Sequence, residues 1–112
     1  MTATTTVIIP NYNGMKFLEP CLKALQAQTY QNFKILVVDN GSTDGSAQWL
    51  EERGIDTIFL KENTGFSGAV NTGIRAADTP YVILLNNDTE ADEYYVAEMV
   101  RAIERSPKIF SV

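Results

Sequence analysis

Short runs of apolar residues alternate along the chain with amphipathic stretches of helical period. Strands are predicted where the apolar runs fall, at residues 5–10, 33–39, 55–61 and 81–86. Helices are predicted at residues 15–28 and 92–105, where apolar side chains recur three and four positions apart. A short helix is predicted at 44–53, between the start residues 42–44 and Gly54, and a glycine-interrupted helix at 66–77. Residues 108–112 predict the beginning of a further strand. The second run, FKILVVD, is continuous, which is typical of a strand buried on both faces of a parallel sheet.

This alternation predicts one α/β domain over residues 1–112, with a mostly parallel, Rossmann-like sheet and helices on both of its faces. Right-handed crossovers place all strand-to-helix loops at one edge of such a sheet. Ligands of these sheets bind beyond the carboxyl ends of the strands. A functional site is therefore expected in the loops at residues 11–14, 40–45, 62–68 and 86–90.

Composition excludes several kinds of chemistry. The chain has 112 residues, a net charge of −5, no histidine and one cysteine, Cys21. A Ser-His-Asp or Cys-His site, a zinc site of histidines or of four cysteines, and a CxxC redox pair are therefore excluded. No lysine or arginine cluster marks a nucleic-acid interface. There is no apolar run of about 20 residues and no signal-peptide pattern, which predicts a cytoplasmic chain and leaves peripheral membrane association open.

The first two loops offer groups suited to a nucleoside. No GxGxxG follows the first strand and no GxxxxGK[ST] is present, which disfavours a dinucleotide fold and a P-loop. Tyr12, in the sequence PNYNG, supplies a ring for packing against a base, although Pro10 and Asn13-Gly14 equally favour a simple turn. Asp39 ends a buried strand, where it could accept a hydrogen bond from the N3–H of uracil or thymine or could cap its own loop.

The glycines of the third loop suggest that a ligand or another segment approaches its backbone closely, and the side chains of the fourth loop suggest a bound cation. Gly65, Gly68 and Gly73 fall within nine residues at a helix start, and glycine there indicates close approach of a ligand or a neighbouring segment. Packing of helix on sheet is the simpler explanation for Gly73. Asn86, Asn87 and Asp88 follow the fourth strand and carry the oxygen atoms that Mg²⁺ or Mn²⁺ prefers. An Asx turn is the alternative.

Taken together, PNYNG, VVDNGSTDGS, ENTGFSGAVNTG and LLNNDTE resemble the family 2 glycosyltransferases of GT-A fold, over nearly the whole chain. Asn86 stands for the first acid of the family's DxD motif, as in the rhamnosyltransferase-like subset. The resemblance implies that Asp88 binds the metal and Asn86 faces the ribose. Val70 departs from the arginine that many members have there. The nucleotide-sugar-binding residues implied are Pro10, Tyr12, Asn13, Asp39, Asn40, Asn63, Gly65, Gly68, Asn71, Asn86 and Asn87.

The same resemblance implies an inverting, metal-dependent transfer of a sugar from a UDP or dTDP donor to the hydroxyl of a saccharide or lipid-linked saccharide. The metal would be Mn²⁺ or Mg²⁺. The chain is expected to be the nucleotide-sugar-binding half, truncated after the DxD-like loop and the following helix. No catalytic base is assigned, because the family's base lies beyond that loop, so the fragment is expected to be inactive. A non-catalytic nucleotide-binding or interaction module is the alternative, and a sugar-nucleotide pyrophosphorylase is a weaker one.

Overall fold

The computed structural model describes residues 4–105. All four predicted strands and four predicted helices within that range are present, and the strand predicted at 108–112 lies outside it. The strands are β1 (Thr5–Asn11), β2 (Phe33–Asp39), β3 (Thr57–Phe59) and β4 (Tyr81–Leu84). The helices are α1 (Met15–Gln26), α2 (Ser46–Glu52), α3 (Gly65–Ala76) and α4 (Tyr95–Arg105).

The four strands form one parallel sheet in the order β3-β2-β1-β4. β1 and β2 pair along their full length, from Thr5 opposite Phe33 to Asn11 opposite Asp39. Because every strand runs in the same direction, the loops that follow β1, β2 and β4 leave the sheet side by side. This arrangement confirms the predicted mostly parallel α/β sheet.

Alternate residues of the strands pack on opposite faces of the sheet, and helices cover both. The larger core lies on one face, where α1, α2 and α4 contribute Leu18, Leu50 and Val96 beside residues such as Val7 and Ile83. The smaller core lies on the other face, where Ala69 of α3 packs with Ile8 and Val38. A Cβ atom at Gly73 of α3 would lie 2.6 Å from Cγ2 of Ile8. Close packing of α3 on the sheet therefore explains this glycine.

Three helices differ from the prediction by two or more residues at one end, and in each a polar side chain binds backbone there. Gln28 lies beyond the end of α1; it donates to Ala24 O at 3.1 Å and accepts from Val96 N at 2.9 Å. Asp92 forms a turn before α4, with its Oδ1 accepting from Tyr94 N at 2.9 Å. Asp44 does the same before α2, accepting from Ser46 N at 3.0 Å.

Two strands are shorter than predicted. β3 covers three residues instead of seven, since it lies at the edge of the sheet and pairs only with β2. β4 leaves its ladder after Leu84, although Leu85 N still donates to Ile8 O at 2.9 Å. Over residues 4–105, no helix has both the length and the apolar character needed to cross a membrane.

Candidate functional site

A cleft of about 380 Å³ lies at the carboxyl edge of the sheet, on the side covered by α3. Strand alternation explains which side chains reach it. Pro10 and Asn40 are two residues beyond Ile8 and Val38, which face α3, and Asn86 is two residues beyond Leu84 on the same face. The lining residues are Pro10, Asn11, Tyr12, Asn40, Asn63, Gly65, Phe66, Ala69, Asn86, Asn87 and Asp88.

Asn40 joins the loop after β2 to the loop before α3. Its side chain is almost wholly buried, and its Nδ2 donates to Asn63 Oδ1 and to Gly65 O, both at 3.1 Å. Its Oδ1 accepts from the backbone N–H of Thr64 at 2.9 Å and from the Thr64 hydroxyl at 3.0 Å. The amide of Asn40 is thus fully engaged by protein groups, and this side chain holds the wall of the cleft in place.

Asp39, the last residue of β2, directs its side chain to the face of the sheet opposite that of Asn40, and it too is bonded to neighbouring loops. It is 2% exposed, and its Oδ1 accepts from Asn11 Nδ2 at 3.0 Å and from the Ser42 hydroxyl at 2.8 Å. Its Oδ2 accepts from Ser42 N at 3.2 Å. Asp39 is not among the residues that line the cleft. Oδ2 has one described partner and a carboxylate oxygen accepts two, so a further hydrogen bond is possible there.

The loops after β1 and β2 are also joined through Asn13 and Asp44. Asn13 has a positive φ of 51° and its Oδ1 accepts from Thr43 N at 2.7 Å. Asp44 accepts from Met15 N at 3.0 Å, so it caps the start of α1 from another loop. Burial alone would raise the pKa of the Asp44 carboxyl, but hydrogen bonds from Ser46 and Met15 outweigh it and lower this pKa below its usual value.

The loop after β4, which we call the NND loop (residues 86–88), presents free groups to the cleft. Among the described residues, the side chains of Asn86 and Asp88 have no hydrogen-bond partner, and both are exposed. Asn87 points inward instead, and its Nδ2 donates to Asn11 Oδ1 at 2.7 Å. This loop therefore offers one carboxylate and one amide to a ligand and uses the third side chain to hold itself in place.

Of three further predicted site residues on α3, one lines the cleft and two lie outside it. Gly65 lines the cleft with a positive φ of 82°. Gly68 does not line it, and a Cβ atom there would lie 2.6 Å from Oγ1 of Thr64. Asn71 is exposed on α3, also outside the cleft. Gly68 is thus explained by local packing within the helix start.

The structure adds residues that the sequence analysis did not identify. Asn11, Phe66 and Ala69 line the cleft, and Phe66 is 58% exposed. Tyr12, which was predicted, is 49% exposed, so two aromatic rings lie at the same cleft. An aromatic residue immediately after Gly65 at a helix start was the available signal for Phe66. Asn11 gave no signal, because its burial depends on Gly14 and Asn87.

The oxygen atoms of the NND loop suit a hard cation. Of the described residues that line the cleft, only Asp88 is acidic. Residues 4–105 contain no cluster of three or more acidic or cysteine side chains able to hold a metal by themselves. Mg²⁺ is commonly bound by one or two carboxylates together with substrate phosphates and water, and Asp88 fits that pattern. The pKa of Cys21 is raised to about 11, chiefly by burial and in smaller part by the negative charges of Asp88 and Glu90.

A parallel α/β sheet with a polar cleft at its carboxyl edge is shared by several nucleotide-binding folds, and solved structures identify which one this is. S. aureus TarS 1–349 in complex with UDP superimposes with a TM-score of 0.80 at 25% identity, over 94% of this chain and 32% of that one. The mannosyltransferase PcManGT of Pyrobaculum calidifontis, in complex with GDP-Man and Mn²⁺, gives 0.80 at 26% identity, over 92% and 33%. The fold is therefore that of the GT-A glycosyltransferases.

Sequence comparison gives the family directly. Residues 6–112 match Glycosyl transferase family 2, and the chain belongs to that family. Glycosyltransferase GlyA of Streptococcus pneumoniae is 37% identical over 102 residues, which are 88% of this chain and 15% of GlyA. The poly-beta-1,6-N-acetyl-D-glucosamine synthase of Staphylococcus aureus is 31% identical over 111 residues, 96% of this chain and 27% of that protein. The chain thus spans between about a seventh and about a quarter of these two relatives.

Proposed function

We propose that this chain binds a nucleoside-diphosphate sugar, a UDP or dTDP sugar, as the donor half of an inverting glycosyltransferase. The observation that carries the proposal is the cleft itself. It has two exposed aromatic rings, Tyr12 and Phe66, and the free carboxylate of Asp88. A ring can stack on a base, while the carboxylate can share a cation with a diphosphate.

The distribution of charge supports a cation in this role. The protein has a net charge of −5, and no lysine or arginine is among the described residues that line the cleft. A diphosphate in this cleft would therefore lie near Asp88 without a basic side chain to balance it. Mn²⁺ or Mg²⁺ held by Asp88, with the oxygens of Asn86 and Asn87 near, would neutralise the charge that develops on the leaving diphosphate.

In the full reaction, the acceptor hydroxyl of a saccharide or lipid-linked saccharide attacks the anomeric carbon. The new glycosidic bond forms as the bond to the diphosphate oxygen breaks, and the hydroxyl proton passes to a base. Asp88 is the one acid among the described residues at the cleft, and its proposed role is to hold the cation. We therefore assign no base in this chain, and we expect the 112 residues to bind donor without transferring sugar.

The choice of pyrimidine rests on the free position at Oδ2 of Asp39. Uracil and thymine present an N3–H donor, whereas cytosine presents an acceptor at N3. A mismatched polar pair costs about 1–3 kcal/mol, which is roughly 5- to 150-fold in affinity. The contact between Asp39 and the base stays a prediction, because Asp39 is not among the residues that line the cleft.

The test is calorimetric titration of the 112-residue chain with UDP, dTDP, ADP and CDP in Mn²⁺. We expect UDP or dTDP to bind at least roughly 5-fold more tightly than CDP or ADP. In Asp39→Asn, an amide N–H in place of Oδ2 loses the bond from Ser42 N, so folding is checked first by circular dichroism, and the preference for UDP over CDP should fall. Equal binding of ADP and UDP by the wild-type chain would refute the donor class. Sugar transfer by the purified chain would refute the proposed lack of activity.

A further inference from the structure

The central residue of the NND loop lines the cleft, and its side chain is also hydrogen-bonded to a residue of the interior. Asn87 Nδ2 donates to Asn11 Oδ1 at 2.7 Å, and Asn11 Nδ2 donates to Asp39 Oδ1 at 3.0 Å. These two bonds form a chain that joins the loop after β4 to the end of β2 through the end of β1. Asn11 is 1% exposed, so this chain runs through the interior.

We propose that Asn11 and Asn87 are a positioning pair, which fixes the NND loop relative to Asp39 and thereby sets the affinity for the cation shared by Asp88 and the diphosphate. The proposal rests on the proposed function for the identity of that cation. It assigns to Asn87 a role different from the nucleotide contact that its position in the sequence implies.

The direction of the hydrogen bonds is set by Asp39. A carboxylate only accepts, so Asn11 must turn its Nδ2 to Asp39 and is left with Oδ1 for Asn87. Asn87 must then supply a donor. An aspartate at position 87 would place a carboxylate against Asn11 Oδ1, and no rotation of the Asn11 amide would satisfy both neighbours. The middle residue of the loop is therefore restricted to a donor by an acid two strands away in the order β2-β1-β4.

Gly14 provides the space for this pair. A Cβ atom there would lie 2.1 Å from Asn87 Nδ2 and 2.6 Å from Asn11 Oδ1. The φ of Gly14 is −105°, which an L-residue adopts without strain. A methyl group at position 14 would therefore push apart both partners of the bond, the end of Asn87 and Oδ1 of Asn11, without removing any polar group. Gly14→Ala is thus a second and independent way to separate the pair.

The experiment measures UDP affinity of the 112-residue chain in EDTA and in Mn²⁺, and the ratio of the two is the Mn²⁺ enhancement. Residues that orient a metal ligand typically affect metal affinity by roughly 10–100-fold. We expect Asn87→Ala, Asn87→Asp and Gly14→Ala each to reduce the enhancement by roughly tenfold. Gly14→Ala should add little to Asn87→Ala, because both changes remove the same hydrogen bond.

Asp44→Ala is the matched control. Asp44 also joins loops at this edge, through Met15 N and Ser46 N, but it does not touch the NND loop. It should lower stability and leave the Mn²⁺ enhancement unchanged, which separates positioning from a general loss of structure. An unchanged enhancement in both Asn87→Ala and Gly14→Ala would overturn the positioning pair. A wild-type chain that shows no enhancement would instead refute the proposed function.

Discussion

The two sides of the cleft are built differently. On the side of β1, β2 and α3, polar side chains at the loops bind one another: Asn40 alone makes four described hydrogen bonds, and Asp39, which lies behind the cleft, accepts three. On the side of β4, Asn87 is the one side chain of the NND loop with a described hydrogen bond, and the loop backbone accepts a further bond at Asn86 O from Cys21 Sγ, at 4.0 Å. The exposed side chains of Asn86 and Asp88 have no partner in the described part of the chain.

This difference separates residues that shape the site from residues that are free to bind. A hydrogen-bonded wall presents a base with a fixed surface, so little ordering is required when the ligand binds. Groups that bind a cation and a diphosphate must instead keep their oxygen atoms uncommitted. The same residue types, asparagine and aspartate, serve both purposes here, and only their surroundings distinguish them.

The comparison predicts the largest change in stability for Asp39→Ala. Removal of this buried carboxylate leaves the donors of Asn11 and Ser42 without an acceptor. We expect the free energy of unfolding to fall by about 2–4 kcal/mol, measured by urea denaturation. Asp88→Ala is the counterpart on the other side, and it should change stability by less than about 0.5 kcal/mol. Similar losses in the two variants would contradict the division between shaping and binding residues.

The next largest effect is expected on UDP affinity, from the two aromatic rings at the cleft. Tyr12→Ala and Phe66→Ala each remove an exposed ring from the cleft, and stacking of one base on an aromatic side chain is worth about 1–3 kcal/mol. In titration calorimetry, we expect at least one of these two variants to lose about 1–3 kcal/mol of binding free energy for UDP. Tyr12→Phe keeps the ring and should retain the affinity of the wild-type chain. A loss in Tyr12→Phe equal to that in Tyr12→Ala would assign the effect to the hydroxyl.

A smaller effect on stability is expected for Asp44, which joins the loops on the side of β1 and β2. Removal of a side chain that caps a helix costs about 1 kcal/mol, which we expect for Asp44→Ala. The pKa of Asp44 is lowered in the folded chain, so its contribution is present above the ordinary aspartate pKa of about 3.9 and is lost as the pH falls below it. The difference in unfolding free energy between wild type and Asp44→Ala should therefore shrink below about pH 4. A difference that grows with acid would reverse the sign and refute this role.

The fold could be predicted from the sequence because its signals are local. Apolar runs such as that of β2 and the helical spacing in α1 gave every strand and helix within residues 4–105. The element ends could not be predicted, since they depend on partners far along the chain. Gln28, for example, binds Val96 N, and this contact exists only when α1 and α4 are packed together.

The roles of the site residues also depend on contacts between distant parts of the chain, so the sequence alone did not reveal them. The motifs predicted the four loops, and most of the predicted residues do lie at the cleft, but their roles there are not evident from residue type. Asn40 and Asn86 have the same side chain; one is fully engaged by protein groups, and the other has no described partner. Asn11 was predicted only as part of the loop at residues 11–14 and not as a site residue, because its hydrogen bonds depend on three-dimensional neighbours. The rhamnosyltransferase-like subset stays a prediction.

The central claim is that Asp88 holds a cation together with the diphosphate of the donor, and one titration tests it most directly. UDP binding is measured in EDTA and in Mn²⁺ for the wild-type chain, Asp88→Ala and Asn86→Ala. Binding of metal and nucleotide is reciprocal, so each must raise the affinity of the other by the same factor. We predict that Mn²⁺ tightens UDP binding in the wild type and that Asp88→Ala abolishes this enhancement. Asn86→Ala should lower the affinity for UDP but retain the Mn²⁺ enhancement. Full Mn²⁺ enhancement in Asp88→Ala would contradict the account.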